Sequence, residues 1–352
     1  MISIKSLKNL GFAYYIQEFC IKSNIFVMNF HQPNFWRRAS LASFALLLLL
    51  PLSGIYWLAT KLRGVFSTAT KLPGTTLTVG NVTLGGGGKT PTAIKLKELI
   101  DSLGLKSCFL TRGYKGALDG PLFITKNSKV SDTGDEPQLL LKYGEVLLAK
   151  KRELAKEILS KAKYDVLILD DGLQNPNVAH DMKILVIDAN YLFGNGFLFP
   201  AGPLRQTSSS ALRNADVILL IGSEQLPKSL VKYRKKVFSA NYKASGSYNS
   251  KKSYLAFSAL ANNAKFFNSL SDHGLRVEEY IEFSDHYSYR VTDIVNLIQL
   301  AAQKGLTLIT TSKDYVKLPK RYQKEIVEFK IELVINSQAE FIKILKRYVK
   351  KS

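Results

Sequence analysis

Residues 76–92, TLTVGNVTLGGGGKTPT, constrain this chain more tightly than any other stretch. A β-branched, apolar run enters Gly85, Gly86, Gly87 and Gly88, and Lys89 and Thr90 follow at the head of an amphipathic pattern of Ala93, Ile94, Leu96, Leu99 and Ile100. Strand, glycine loop, Lys-Thr and helix in that order predict a phosphate cradle. The glycines let several backbone N–H groups point inward, and the helix start adds the positive end of its dipole. In such a cradle Thr83, Leu84 and Gly85 to Gly88 wrap the anion, Lys89 reaches the β- and γ-phosphates, and the Thr90 hydroxyl holds a magnesium ion. The general pattern G-x-x-x-x-G-K-[ST] is met except at its first position, where Thr83 stands. A flexible glycine linker is the competing reading, and it does not account for the flanking strand and helix.

Beyond the cradle, strand-like runs at 106–110, 146–149, 164–170 and 183–188 alternate with helical patterns at 136–142 and 152–162. This rhythm predicts an α/β fold of the P-loop type, a mostly parallel sheet with helices on both faces, whose ligand lies off the carboxyl ends of the strands. Polar clusters stand at those ends: Thr111-Arg112-Gly113-Tyr114, Asp170-Asp171-Gly172-Leu173-Gln174 and Pro200-Ala201-Gly202-Pro203-Leu204-Arg205. A Gly/Ser-rich segment at 242–252 reads as a linker, and strand and helix patterns restart at 254–257, 261–272, 277–283, 291–303 and 306–310. The expected domains are a basic arm (1–38), a membrane-associated helix (39–63), a P-loop domain (64–241), the linker, and a smaller α/β domain (253–352). Met28 is a candidate start, which would leave residues 1–27 outside the native protein.

The run 39–60 carries no charge, and its 22 residues are enough to cross a hydrocarbon core of about 30 Å. Basic residues close both ends, Arg37 and Arg38 before, Lys61 and Arg63 after. A full span and a helix embedded in one leaflet both remain open, because a cytosolic active site conflicts with exporting a basic arm, and Pro51 interrupts the run. A formal charge of +21 demands an anionic partner: nucleic acid, an acidic membrane or a phosphorylated substrate. No basic stripe interleaved with aromatic residues marks a nucleic-acid module, so no nucleic acid is expected. The two cysteines and four histidines lack ligand spacing, which leaves magnesium with ATP as the inferred metal.

In a P-loop enzyme an acid ending the strand 164–170 completes the magnesium shell; alternation of side chains lets one of Asp170 and Asp171 meet the ion, and the pattern does not say which. Asp135, in Gly134-Asp135-Glu136-Pro137, reads as a helix N-cap or a functional acid. Arg112 reads as a phosphate ligand or a turn residue, and His286, in Asp285-His286-Tyr287, as structural or catalytic.

Together with Thr310-Thr311-Ser312-Lys313-Asp314, these motifs resemble the tetraacyldisaccharide 4'-kinases of lipid A synthesis, in the same order from about Phe35 to Lys317. The family's cradle also lacks the leading glycine; Asn175 and Gln206 stand where its members usually carry histidine and glutamate. The resemblance implies transfer of the ATP γ-phosphate to the 4'-hydroxyl of a tetraacyl glucosamine disaccharide 1-phosphate at the bacterial inner membrane, facing the cytoplasm. It implies Asp135 as the base, assisted by His286, with Lys89 and Arg112 neutralising the phosphoryl group. Thr90 with Asp170 or Asp171 holds magnesium, and Tyr114, Gln174 and Arg205 are candidate substrate contacts. Anionic lipid is the implied surface, with no obligate protein partner. The alternatives are a P-loop kinase acting on another membrane glycolipid and a membrane-tethered nucleotide switch; the chain contains no N-K-x-D guanine-reading sequence.

Overall fold

β1 (Thr75–Gly80), which feeds the glycine loop, is buried from its second residue onward and lies at the centre of the larger sheet. The structure, a computed structural model, describes residues 33–37 and 44–349. Most of the basic arm and Met28 lie outside the described residues. Among the described residues the larger sheet runs β13-β8-β7-β6-β1-β5-β2-β4-β3. Its strands are β2 (Ser107–Thr111), β3 (Leu122–Phe123), β4 (Val146–Leu148), β5 (Val166–Leu169), β6 (Met182–Asp188), β7 (Val217–Ile221), β8 (Val237–Ala244) and β13 (Ile331–Ile335). The pairs from β8 through β4 are parallel, and the two edge pairs, β13 with β8 and β3 with β4, are antiparallel. β5 and β7 read VLIL and VILLI with every residue buried, as strands covered on both faces must be.

From β1 the chain passes through the helix Lys89–Ser102 (α2) to β2, beyond β5, and later returns to β6 on the opposite side of β1. The change of direction opens a crevice at the carboxyl ends of the strands beside β1. That crevice receives the cradle.

The smaller sheet is β10-β9-β11-β12, all parallel, built from β9 (Ser253–Ser258), β10 (Arg276–Glu282), β11 (Thr307–Thr311) and β12 (Ile326–Phe329). Phe266, Phe267 and Leu270 of one helix pack on one face, and Ile294, Leu297 and Ala301 of another on the opposite face. The expected boundary at 253–352 requires correction. One residue after β12 the chain re-enters the larger sheet as β13, paired with β8, and the helix Gln338–Tyr348 (α9) buries Phe341 and Leu345 in the core shared with Leu77, Leu96 and Val186. Residues 242–244 belong to β8, not to a linker. Edge pairing is long-range, so a short apolar strand near the end of a chain does not disclose its partner.

The apolar run forms the helix Phe44–Val65 (α1), continuous through Pro51. It is long and apolar enough to cross a membrane, yet only 11% of its most apolar window is buried within the protein. Leu48, Leu52, Ile55 and Leu58 are exposed. Its contact with the larger domain is part polar and part apolar: Ser53 Oγ donates to Leu198 O at 2.9 Å and accepts from Ala201 N at 3.1 Å, Tyr56 Oη donates to Arg205 O at 3.2 Å, the Tyr56 ring meets Phe199 edge-on at 5.7 Å, and Leu46 is fully buried.

Because α9 buries Phe341 in the core of the larger sheet, Phe341→Ala should destabilise the larger domain by about 3–5 kcal/mol. Chemical denaturation followed by the fluorescence of the larger domain would show it; an unchanged midpoint would mean that α9 is dispensable.

Candidate active site

The cradle is closed around Asn81. Asn81 Nδ2 donates to Thr83 Oγ1 at 3.3 Å and to Gly85 O at 3.4 Å, Lys89 Nζ donates to Asn81 Oδ1 at 3.2 Å, and Gln174 Nε2 donates to Asn81 O at 2.8 Å. Gly88 caps α2 at φ +85°, where a Cβ would lie 2.5 Å from the Tyr242 hydroxyl and 2.7 Å from Ile221 Cδ1. Both the backbone and the space require glycine there. The segment 198–205 is laced to the cradle's other flank, with Leu84 N donating to Pro203 O at 2.8 Å and Arg205 N to Val82 O at 2.7 Å.

The two carboxylates after β5 have separate environments. Asp170 is 2% exposed; its Oδ2 accepts from Thr90 Oγ1 at 3.0 Å, and its Oδ1 is buried without a hydrogen-bond partner. Burial pushes its carboxyl well above the usual range, the charges of Glu136 and Asp171 add to this, and Lys89 and Thr90 only partly offset them. Asp171 sits at φ +53° and accepts two bonds from Arg205 Nη1, at 2.9 and 3.1 Å, with Lys89 Nζ 3.9 Å away. Burial would raise Asp171 too, but Lys89, Arg205 and Arg152 outweigh it and hold its carboxyl below the ordinary value. Asp170, paired with Thr90 and carrying an orphaned carboxylate oxygen, is the member whose chemistry fits a cation. Among the described residues no cluster of three or more His, Cys, Asp or Glu could hold a metal.

Arg152 is a site residue that its sequence context does not disclose, since it reads there as one more charge in a helical pattern. It is 2% exposed, and its Nη2 donates to Asp170 O at 2.6 Å and Asp171 O at 3.2 Å. Burial lowers its guanidinium to about 10 against the pull of Asp171 and Asp170. It holds the backbone of the acid pair from behind.

The second half of the site comes from both sheets. Gly134, at φ +89° with a Cβ position only 2.3 Å from Tyr114 O, turns the chain into the helix Asp135–Leu140 (α3). Asp135 is therefore the first residue of α3, with Gly134 as its cap; its Oδ1 accepts from Glu136 N at 2.9 Å. Across the crevice, His286 at φ +60° places Nδ1 2.9 and 3.1 Å from the two Asp135 oxygens. Tyr114, 59% exposed, meets the His286 ring edge-on at 5.3 Å. Lys313 Nζ lies 3.8 Å from Asp135 Oδ2 and 3.6 Å from Glu136 Oε1. Burial alone would raise Asp135, but the hydrogen bond from His286, then the charges of Lys313 and Lys317, bring it from 3.8 down to about 2.

The structure thus gathers Lys89, Thr90, Asp170, Asp171, Gln174 and Arg205 in one linked network, and Asp135, His286 and Tyr114 in another. The charge of Glu136, which follows Asp135, disfavours ionisation of Asp170 across the gap between them. Arg112 is exposed just beyond β2, and among the described residues it has no hydrogen bond or ion pair.

The profile of the tetraacyldisaccharide-1-P 4'-kinases matches residues 45–350. This chain belongs to that family. The tetraacyldisaccharide 4'-kinase of Rickettsia conorii is 38% identical over 306 residues, covering 86% of this chain and 94% of that protein. That of Rickettsia felis is 36% identical over 307 residues, covering 87% and 93%. A crystal structure of LpxK from Aquifex aeolicus in complex with ATP superimposes with a TM-score of 0.72 at 26% identity, covering 87% of this chain and all of that one. The 4'-kinase resemblance read from the motifs and the P-loop α/β fold both stand.

The depressed Asp135 carboxyl gives a signed expectation. Its stabilising pairing is complete above its unfolded value, near 4, and is lost as pH falls through about 2. Asp135→Asn should therefore cost about 2 kcal/mol at pH 7 and progressively less below pH 4. Denaturant titrations of both proteins across that window would test it, and a pH-independent difference would contradict it.

Proposed function

We propose that the chain uses ATP to phosphorylate the 4'-hydroxyl of a tetraacyl glucosamine disaccharide 1-phosphate, at the cytoplasmic face of a bacterial inner membrane. The observation that carries this reading is the meeting of Asp135 and His286 at 2.9 Å beside a P-loop. In a chain of this family, a paired carboxylate next to a nucleotide cradle needs an acceptor hydroxyl to act on.

In this reading the backbone of residues 83–88 and the Lys89 ammonium hold the β- and γ-phosphates, and Arg112 reaches the γ-phosphoryl from the mouth of the crevice. Thr90 and Asp170 hold magnesium, with Asp171 beside them fixed by Arg205. Held there, such an ion would supply positive charge to offset that of the phosphates. Arg205 and Gln174 act on Asp171 and Asn81, so they support the site more directly than they touch substrate. Tyr114, exposed against His286, is the candidate contact for the sugar.

Asp135 accepts the proton of the 4'-hydroxyl as the oxygen–phosphorus bond forms and the bond to ADP breaks. A carboxylate held near 2 is ionised at every working pH and is a weak base. Phosphoryl transfer through a loose transition state tolerates that, because the hydroxyl gives up its proton late, and alignment matters more than basicity. His286, by donating to the carboxylate, keeps its acceptor lone pairs aimed. The exposed apolar faces of α1 and the chain's net charge of +21 suit an anionic, lipid-bound acceptor.

Asp135→Ala should lower kcat by roughly 10²–10⁴-fold with little change in the KM for ATP. Lys89→Ala should impair ATP use itself. A steady-state assay with the 1-phosphorylated tetraacyl disaccharide distinguishes these, and near wild-type turnover by the Asp135 variant would remove it as the base.

A further inference from the structure

The motif Thr310-Thr311-Ser312-Lys313-Asp314 has no part in the transfer described above, yet its local construction is rigid. The four-residue helix Ser312–Tyr315 (α8) starts at the end of β11, where Thr311 Oγ1 accepts from Asp314 N at 3.0 Å and donates to Asp314 Oδ2 at 2.7 Å. The same Oδ2 accepts from Ala259 N at 3.1 Å, Lys317 Nζ lies 2.6 Å from Oδ1, and Asp314 is fully buried. This bracing aims the neighbouring Lys313 at the junction between the two sheets. Its Nζ lies 3.3 Å from His286 Nε2, nearer than either carboxylate oxygen it faces at 3.6 and 3.8 Å.

An ammonium has three N–H donors and no acceptor lone pair. The imidazole nitrogen facing it must therefore present a lone pair, which leaves the ring proton on Nδ1, the nitrogen 2.9 Å from Asp135. Asp285 Oδ1, 3.8 Å from Nε2, would favour the opposite tautomer but is the more distant neighbour. A doubly protonated ring would set an N–H and a positive charge against the Lys313 ammonium. We propose that Lys313 is a positioning residue that fixes the His286 tautomer, so that Nδ1–H is donated to Asp135 and the carboxylate is held toward the acceptor hydroxyl. Lys313 acts through His286 and does not itself touch the reacting atoms. The inference rests on the Asp135–His286 reading of the site.

The first test needs no variant: nitrogen-15 NMR of the full-length, histidine-labelled enzyme, with His286 assigned by its loss in His286→Gln. The expected result is a protonated Nδ1 and an acceptor-type Nε2; a proton on Nε2 overturns the proposal whether or not any Lys313 variant folds. In kinetics, Lys313→Met should lower kcat roughly tenfold or more while both KM values stay within about twofold, and Lys313→Arg should recover part of the loss. Added to His286→Ala, Lys313→Met should cost nothing further, because two residues acting as one unit are non-additive. Wild-type turnover by Lys313→Met, or a second full loss in the double variant, would overturn it. If instead Asp135→Ala retained activity while the tautomer was as expected, the base assignment would fall and the tautomer control would stand.

Discussion

The proposed chemistry depends on one contact between the two sheets, the bond from His286 Nδ1 to the Asp135 carboxylate. Asp135 heads α3 at the carboxyl side of the larger sheet, and His286 follows β10 of the smaller one. They are 151 residues apart in sequence, so the pair exists only while the sheets are docked. The docking joins apolar packing, where Ala244 and Ile331 meet the core of the smaller sheet, to charged contacts: Lys142 Nζ pairs with Glu328 at 2.8 Å, Lys265 with Asp188, and Lys115 Nζ donates to Asp285 O at 3.5 Å. Charged contacts of this kind specify orientation more than they add stability. The buried pairing of Asp135 with His286 and Lys313 is the part that loses most if the sheets separate, since each group would leave the others uncompensated.

Of the five described non-glycine residues with positive φ, Asp171 and His286 lie in the site. Asp171 and His286 both hold positive φ without being glycine, a conformation that costs of order 1–3 kcal/mol and persists only where the surroundings over-determine it. Arg152 bonding the Asp170 and Asp171 carbonyls, and Arg205 gripping the Asp171 carboxylate, provide that constraint on one side. Asp135 and Lys313 provide it for His286 on the other. Arg205 also ties the site to the apolar helix α1, because its carbonyl accepts from Tyr56 and its guanidinium ends on Asp171. Apolar helix and phosphate site are thus two residues apart through hydrogen bonds.

What the sequence discloses is what local chemistry determines. Cradle, acid pair and alternating strands are written in contiguous residues, so the P-loop and the parallel sheet around β1 are legible in the order of the residues alone. The choice between Asp170 and Asp171 is not, because it turns on a bond from Thr90, 80 residues away. Nor is the path of residues 331–349, whose strand and helix patterns are ordinary but whose partners, β8 and the core under α2, are remote. Arg152 and Lys313 are hidden for the same reason: each looks like a solvated charge until the fold turns it inward. Family resemblance supplied the pairing of Asp135 with His286, and the geometry gives that pairing its physical content.

On this account the site delivers a phosphoryl group to one hydroxyl of a lipid-borne sugar. The most direct measurement is to incubate the full-length chain in detergent micelles with magnesium, ATP and the tetraacyl disaccharide 1-phosphate, and to examine the lipid product by phosphorus–proton correlation NMR. A second phosphomonoester coupled to H-4' is the predicted result. Release of inorganic phosphate alone, or a new phosphoester coupled to any other sugar proton, would contradict it.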